Sequence, residues 1–450
     1  MKTLVTGTNI LDVATDFFNS HEEFQKHLDQ GDLWRAEKLL MVQFFELLTR
    51  LSGILLNTWV DRQKNWLLTK YSKEGFKRCE MRSFGLQIQT GATVKILSPY
   101  SKEVNEQTPK GHRHLFNRHF SIIGNSSPEY YSKVAMSALM CPSYDIGNEL
   151  LLQQGLDQSE TRVRKLTNEM ADYCFDKEVC LALGEGESLK GMRVAISIDG
   201  GRCNTRKNRG ERNEQGNLTY ESAWCEPKLF VIELLDANGK LSKDSLPLYS
   251  GRFSDTEMWG LLKEYLLKLD IKAAQTVQIL ADGAPWIWNH VKPLLIDVGV
   301  AEDKIVLTLD YFHASSYVHK LVEAMPSSMT QTKKGPLLTA FKSWLWNGQC
   351  TKIVERCNQI FKRPSDEVKR WLNYLEKHED KTQYIDYENN KLMCGSGIIE
   401  SGIRRVINLR FKNAGTFWIK EIVEKLIFLR GIFLAKRWDT LLNNIIKFEF

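Results

Sequence analysis

At 450 residues and 43% hydrophobic composition, the chain is long and apolar enough for two or three folded domains, without internal repeats or low-complexity tracts. Nine scattered cysteines, an odd number, argue for reduced thiols rather than an extracellular disulfide framework, and the opening residues 1–8 lack the apolar stretch of a signal peptide. Lys and Arg outnumber Asp and Glu by 61 to 55, and residues 402–450, with ten basic and four acidic side chains, hold the whole excess.

Along the chain, residues 1–90 read as mainly helical, with Leu40, Phe44, Leu47, Leu51, Leu55 and Trp59 on one apolar stripe of a long helix. Residues 91–142 form a small strand-and-turn region. It holds a short strand at 93–97 and the histidines His112, His114 and His119, which lack the cysteine pair of a zinc site. Residues 143–180 look like a helix-turn-helix: a helix over 144–154, a turn at Gly155 and a second helix over 159–173 with Val163, Leu166, Met170 and Tyr173 inward. Arg162, Arg164 and Lys165 then fall on the accessible side, where a DNA-reading helix needs them. A plain helical hairpin fits the same pattern.

Residues 190–314 and 395–435 carry the signals of an α/β core. An apolar strand over 194–198 closes on Asp199; an alternating strand over 228–236 follows, then the Asn238-Gly239 hairpin signal and a short strand at 246–249. A helix over 254–268, capped by Ser254, leads to a strand over 277–281 that closes on Asp282. A helix, a strand over 305–310 and another helix complete the run. Three antiparallel strands followed by alternating helix and strand is the order of an RNase H-like mixed sheet. Residues 315–394 form an all-helical insertion (333–346, 350–362 and 365–378), with Trp344, Trp346, Phe361 and Trp371 as core anchors and Cys350 and Cys357 on one packed side. Charged residues interrupt the apolar segment 422–434, so it reads as a buried helix and not a membrane span, and 436–450 is a C-terminal helix.

Three carboxylates stand out: Asp199 before Gly200-Gly201-Arg202, Asp282 before Gly283-Ala284-Pro285-Trp286, and Glu400 after Gly395-Ser396-Gly397. Carboxylates converging at a sheet edge repel one another unless divalent cations hold them. That need suits two-metal phosphoryl transfer by Asp199, Asp282 and Glu400 with two Mg²⁺ (or Mn²⁺) ions. Asp310, which also closes a strand, is an alternative second ligand, and His313 is either a phosphate- or water-orienting group or a structural histidine. Basic residues trail the acidic ones: Arg202, Arg206, Lys207, Arg209 and Arg212 after Asp199, and Arg404, Arg405, Arg410, Lys412 and Lys420 after Glu400. Phosphate-binding surfaces need that placement. An i,i+4 pair of Arg404 with Glu400 and a solvated loop at 202–212 are the plain alternatives. No Ser-His or Cys-His nucleophile pattern and no phosphate-cradling glycine loop competes.

The stretches Ser197-Ile198-Asp199-Gly200-Gly201-Arg202, Trp224-Cys225-Glu226-Pro227-Lys228, Ala281-Asp282-Gly283-Ala284-Pro285-Trp286, Leu309-Asp310-Tyr311-Phe312-His313 and Gly395-Ser396-Gly397-Ile398-Ile399-Glu400, running on to Arg410-Phe411-Lys412-Asn413, carry a resemblance. In these motifs and their order, over residues 90–435, the chain resembles the RNase H-like DDE transposases of prokaryotic insertion sequences. It departs in lacking an N-terminal cysteine pair and in having Phe417 where relatives often carry a basic residue before Trp418. The resemblance implies metal-dependent cleavage at element ends, transfer of the 3′-hydroxyl to target DNA, and a homodimer or larger assembly on DNA. The chain would then work in the cytoplasm on the nucleoid, without a membrane. It leaves open an RNase H-like endonuclease without strand transfer and a domesticated DNA-binding regulator.

Overall fold

The computed structural model describes residues 10–19, 21–103, 112–206, 210–216, 218–219, 221–413 and 416–447. Lys207 and Arg209 of the first basic cluster, Ala414-Gly415 and residues 1–8 lie outside the described residues. The chain divides into two compact units, Met1–Lys177 with Asp439–Phe450, and Glu178–Trp438.

In the first unit, helices α1 (Ile10–Asn19) and α2 (His21–Asp29) pack on the 41-residue helix α3 (Leu33–Lys73), whose N-cap Asp32 accepts from Arg35 N at 3.1 Å. The buried side of α3 carries Ala36, Thr49, Gly53, Val60, Leu67 and Tyr71 and lies on a hairpin of β1 (Phe76–Gln87) and β2 (Thr93–Glu103), extended by β3 (His112–His114). Phe84 pairs with Ile96 and Leu86 with Val94 across the hairpin. Strand β1 begins inside the region that reads as helical from sequence. The expected apolar stripe of α3 divides: Trp59 packs against the hairpin core, whereas Leu40, Phe44 and Leu55 are 41%, 50% and 59% exposed. By length and composition this helix is apolar enough to cross a membrane, and 11% of its most apolar window is buried in the fold.

Three further helices, α4 (Pro128–Met140), α5 (Tyr144–Gln153) and α6 (Glu160–Phe175), pack together in this unit, with serine N-caps at Ser127, Ser143 and Ser159. Helix α4 falls where only strand and turn are read from the sequence. His114 packs against Phe84 (4.5 Å between centroids), and His119 stacks on Trp59 (5.4 Å) and approaches the Tyr71 hydroxyl. Burial and the nearby Arg82 push His114 down to about 4. Both rings are packed against aromatic neighbours.

The second unit is built on a five-stranded mixed sheet. Its strands are β4 (Arg193–Gly200), β5 (Lys228–Leu235), β6 (Leu248–Arg252), β7 (Thr276–Ala281) and β8 (Ile305–Leu309), in spatial order β6-β5-β4-β7-β8. The β6-β5 and β5-β4 pairs are antiparallel, and β4-β7 and β7-β8 are parallel. Strands β4 and β7 are buried almost throughout, as their unbroken apolar runs require. The hairpin between β5 and β6 turns at Gly239, whose φ of +76° suits glycine, and an added Cβ there would strike the Lys391 carbonyl. Helix α7 (Asp255–Lys268) is capped by Ser254 and buries Met258, Leu262, Tyr265 and Leu266.

Helix α8 (Tyr311–Glu323) leads into the helical segment α9 (Gln331–Trp346), α10 (Cys350–Ile360) and α11 (Asp366–Lys377). Phe341, Leu345, Cys350, Cys357 and Leu372 share its core, with Trp344, Trp346, Phe361 and Trp371 packed partly buried around it. The chain returns through α12 (Gly397–Gly402), which passes into a π-helical stretch at Ile403–Asn408 and then α13 (Lys420–Leu434). Arg430 supports that wide turn by donating to the Val406 carbonyl (2.8 Å) and the Arg405 carbonyl. The architecture is α/β, with mixed sheets and many helices.

Candidate active site

The parallel register sets Ile198 beside Ala281, so the next residues, Asp199 and Asp282, leave neighbouring strands side by side. Adjacent strands lie about 4.8 Å apart, so two carboxylates emerging together repel unless something positive lies between them. Asp199 shows this. Its carboxyl is pushed up to about 6, by burial first and then by the charges of Asp282 and Glu226, with the Gly200 N–H and His313 opposing. Gly200 N donates to Asp199 Oδ1 at 2.7 Å, and Ala284 N donates to Asp282 Oδ1 at 2.9 Å. Each carboxylate is therefore aimed by a backbone amide one or two residues on.

Glycines let neighbouring side chains close on this pair. A Cβ on Gly200 would collide with the Glu226 carboxylate, and one on Gly283 with the Tyr374 ring of α11. Trp288 Nε1 donates to the Asp282 carbonyl at 2.6 Å and fixes the loop after β7. Glu226, in the loop between strand Ser222–Cys225 and β5, thus stands next to Asp199. Sequence reasoning did not single it out as a site residue, although it lies in the Trp-Cys-Glu-Pro-Lys motif.

Asp310 is committed elsewhere. Its Oδ1 accepts from Phe312 N (2.6 Å) and His313 N (3.2 Å) as the N-cap of α8, while Oδ2 accepts from Ser396 N (3.1 Å) and Ser396 Oγ. Despite burial, the His313 side chain first, then the Ser396 hydroxyl and the backbone amides of His313 and Ser396, hold its carboxyl down at about 2. Both oxygens are engaged, which favours Asp282 over Asp310 as partner of Asp199. His313 Nδ1 sits 3.6 Å from Asp310 Oδ2, and the imidazole is raised, first by Asp310 and then by the charges of Asp282 and Asp199. His313 in turn opposes the rise of the Asp199 carboxyl, so the imidazole and the acidic pair interact electrostatically.

The Asp310–Ser396 link also positions the third expected residue. Tyr311 N donates to the Cys394 carbonyl at 3.0 Å, and the buried Gln278 side chain, from the middle of β7, bonds both Met393 N (3.0 Å) and Met393 O (2.6 Å). The segment before α12 is thereby stitched to the sheet, and α12 packs on β4 and β5. Glu400 lies on its first full turn, exposed to solvent. Among the described residues, no three His, Cys, Asp or Glu side chains are gathered closely enough to hold a metal ion. Asp199 and Asp282 are brought together; Glu400 stays outside their cluster.

The basic residues divide. Arg202, Arg404, Lys412 and Lys165 are exposed. Arg162, expected on the reading face of α6, instead points into its own unit. It donates to Gln87 Oε1 (2.7 Å), the Gly124 carbonyl (2.7 Å) and Ser126 Oγ (2.8 Å), tying the helix to β1 and the following loop. Arg405 donates to the Tyr249 hydroxyl at 3.0 Å. Arg410 is 1% exposed, its guanidinium 5.0 Å from the Trp418 ring centroid, so phosphate cannot reach it. The π-helical turn accounts for part of this. It inserts an extra residue per turn and moves the phase of the following side chains, so the spacing from Glu400 no longer reports which face they occupy.

No family model matches the chain, and no curated protein matches it. A solved structure described as the Drosophila P element transposase strand transfer complex aligns with 72% of this chain and 82% of that one, at 12% identity and a TM-score of 0.27. A likeness of that size carries no argument about this chain.

Proposed function

We propose that the chain is a DNA transposase with an RNase H-like core, in which Asp199, Asp282 and Glu400 act together in phosphoryl transfer. The observation that carries the reading is the Asp199–Asp282 pair at the ends of the two central parallel strands, with Asp199 raised to about 6 by burial and acidic neighbours. A fold keeps two such carboxylates together, at a cost in stability, when function requires their joint negative field. The pair fits a divalent cation in part: Asp199 and Asp282 would supply two ligands, and Glu400, on the helix stitched to the same sheet, would have to complete the set. Bound Mg²⁺ or Mn²⁺ would supply the charge that lowers the barrier at a phosphodiester.

The protein's own share is positioning. The amides of Gly200 and Ala284 aim the two carboxylates. Gly200 and Gly283 leave room for the Glu226 carboxylate and the Tyr374 ring to approach the pair, and the His313 imidazole would interact with the acidic group. Arg202, Arg404 and Lys412 are exposed cations of the second unit that would meet DNA phosphates, and Lys165, exposed on α6, would meet DNA from the first unit. This reading places the protein on the nucleoid, in the cytoplasm.

The test is a supercoiled plasmid carrying the inverted repeats that flank the gene, incubated with the full chain and Mg²⁺. Joined products support transposition, cut but unjoined products support an endonuclease, and a mobility shift alone supports a DNA-binding regulator.

A further inference from the structure

The exposed side of α3 has no role in the proposed chemistry, yet it leaves several large apolar side chains open to solvent. Leu33, Phe44, Leu55 and Trp66 are 59%, 50%, 59% and 46% exposed, Trp66 keeping that exposure although one side of its ring meets His119 edge-on, on a helix that packs its other side on the hairpin. At 100° per residue these four, with the half-buried Leu48 and Leu51, fall within one narrow face. The stripe runs from residue 33 to 66, about 50 Å at 1.5 Å per residue.

Its order is self-complementary. Turning α3 end for end about a point between Thr49 and Arg50 places Phe44 opposite Leu55, Leu48 opposite Leu51, and Leu33 opposite Trp66. The same turn places the exposed Glu37, the acidic residue within the stripe, opposite the exposed Arg62, the basic one at its far end. A two-fold axis imposes this rule on any isologous interface: what one residue lacks, its symmetry mate must supply. We infer that α3 pairs antiparallel with α3 of a second copy of this chain, along the face from Leu33 to Trp66.

A strip about 50 Å by 10 Å on each partner removes on the order of 1,000 Å² in total, which reaches the size of a specific interface. A bilayer fits the face less well. It would have to strip the hairpin from the buried side of the helix, and it would take Glu37 and Arg62 into hydrocarbon unpaired. In the pair those two charges meet at each end and set the antiparallel direction.

The experiment is sedimentation of the full chain at micromolar concentration without DNA, with variants on the exposed face. Wild type should be a dimer, and Phe44→Glu or Leu55→Glu a monomer with unchanged circular dichroism. Glu37→Arg should weaken the dimer by roughly tenfold or more, because like charges then face each other at both ends. The double variant Glu37→Arg with Arg62→Glu should restore it, a rescue that general misfolding would not give. A monomeric wild type, or a double variant no tighter than the single one, overturns the pairing. So does flotation of wild type, but not Phe44→Glu, with phosphatidylcholine vesicles, which would assign the face to a membrane.

Discussion

Asp199→Asn should make the protein more stable while removing its activity. The Asp199 carboxyl lies at about 6 in the fold against an ordinary 3.8. That interval corresponds to about 3 kcal/mol of penalty on the charged form, reduced to roughly 1–3 kcal/mol because the side chain is only half-buried. The sign follows from the direction. The folded state holds the proton more tightly than the unfolded one, so the penalty is complete above pH 6 and fades as pH falls through 6 towards 3.8. Asparagine keeps an oxygen for the Gly200 N–H and carries no charge. In chelator at pH 8, the variant should melt roughly 2–10 °C above wild type, and the gap should close near pH 4. Added Mg²⁺ should raise the wild-type midpoint and leave the variant unmoved. A variant less stable than wild type at pH 8, or a gap that ignores pH, would refute the idea that Asp199 sits in an uncompensated acidic field.

Gly283→Ala should cost roughly 1–3 kcal/mol by thermal denaturation, because the new methyl collides with Tyr374, and Tyr374→Leu should recover part of it. Asp310→Ala should destabilise by a similar amount, since it removes the α8 cap and the tie to Ser396. The Asp310 contribution is present above its ordinary 3.8 and disappears as pH falls through about 2, so wild type should lose its advantage over the variant in strong acid. Arg162→Ala should lower the melting temperature, by breaking its bonds to Gln87, Gly124 and Ser126, with little effect on random-duplex affinity. Lys412→Ala should leave stability unchanged and flatten the log K against log salt slope by roughly one unit.

Much of the core was legible because its signals are local. Apolar runs closing on Asp199 and Asp282, the Asn238-Gly239 turn and the Ser254 cap each name an element without help from the rest of the fold, and each element lies where it was read. Side-chain direction was less legible, because it depends on phase. Arg162 precedes the buried Val163 and turns inward with it, and Arg410 follows a π-helical turn that no residue pattern announces. The role of Asp310 could have been read: an aspartate directly before a helical run is first a candidate cap. Gln278, a lone polar residue inside the apolar run of β7, was an unread sign that something beyond the sheet is bonded there. The α3 stripe was visible in sequence, but whether an apolar stripe faces a core or stands open depends on which other elements reach it.

The most direct measurement is strand transfer by the full chain, using a duplex of the element end with a free 3′-hydroxyl and a supercoiled target plasmid in Mg²⁺. The account predicts joined product with wild type, none with Asp199→Asn, Asp282→Asn or Glu400→Gln, and near-normal end binding by all three. Joined product from Glu400→Gln would remove that residue from the site and leave the strand-end pair to be completed by another group. Retained joining by Asp199→Asn or Asp282→Asn would contradict the account at its centre.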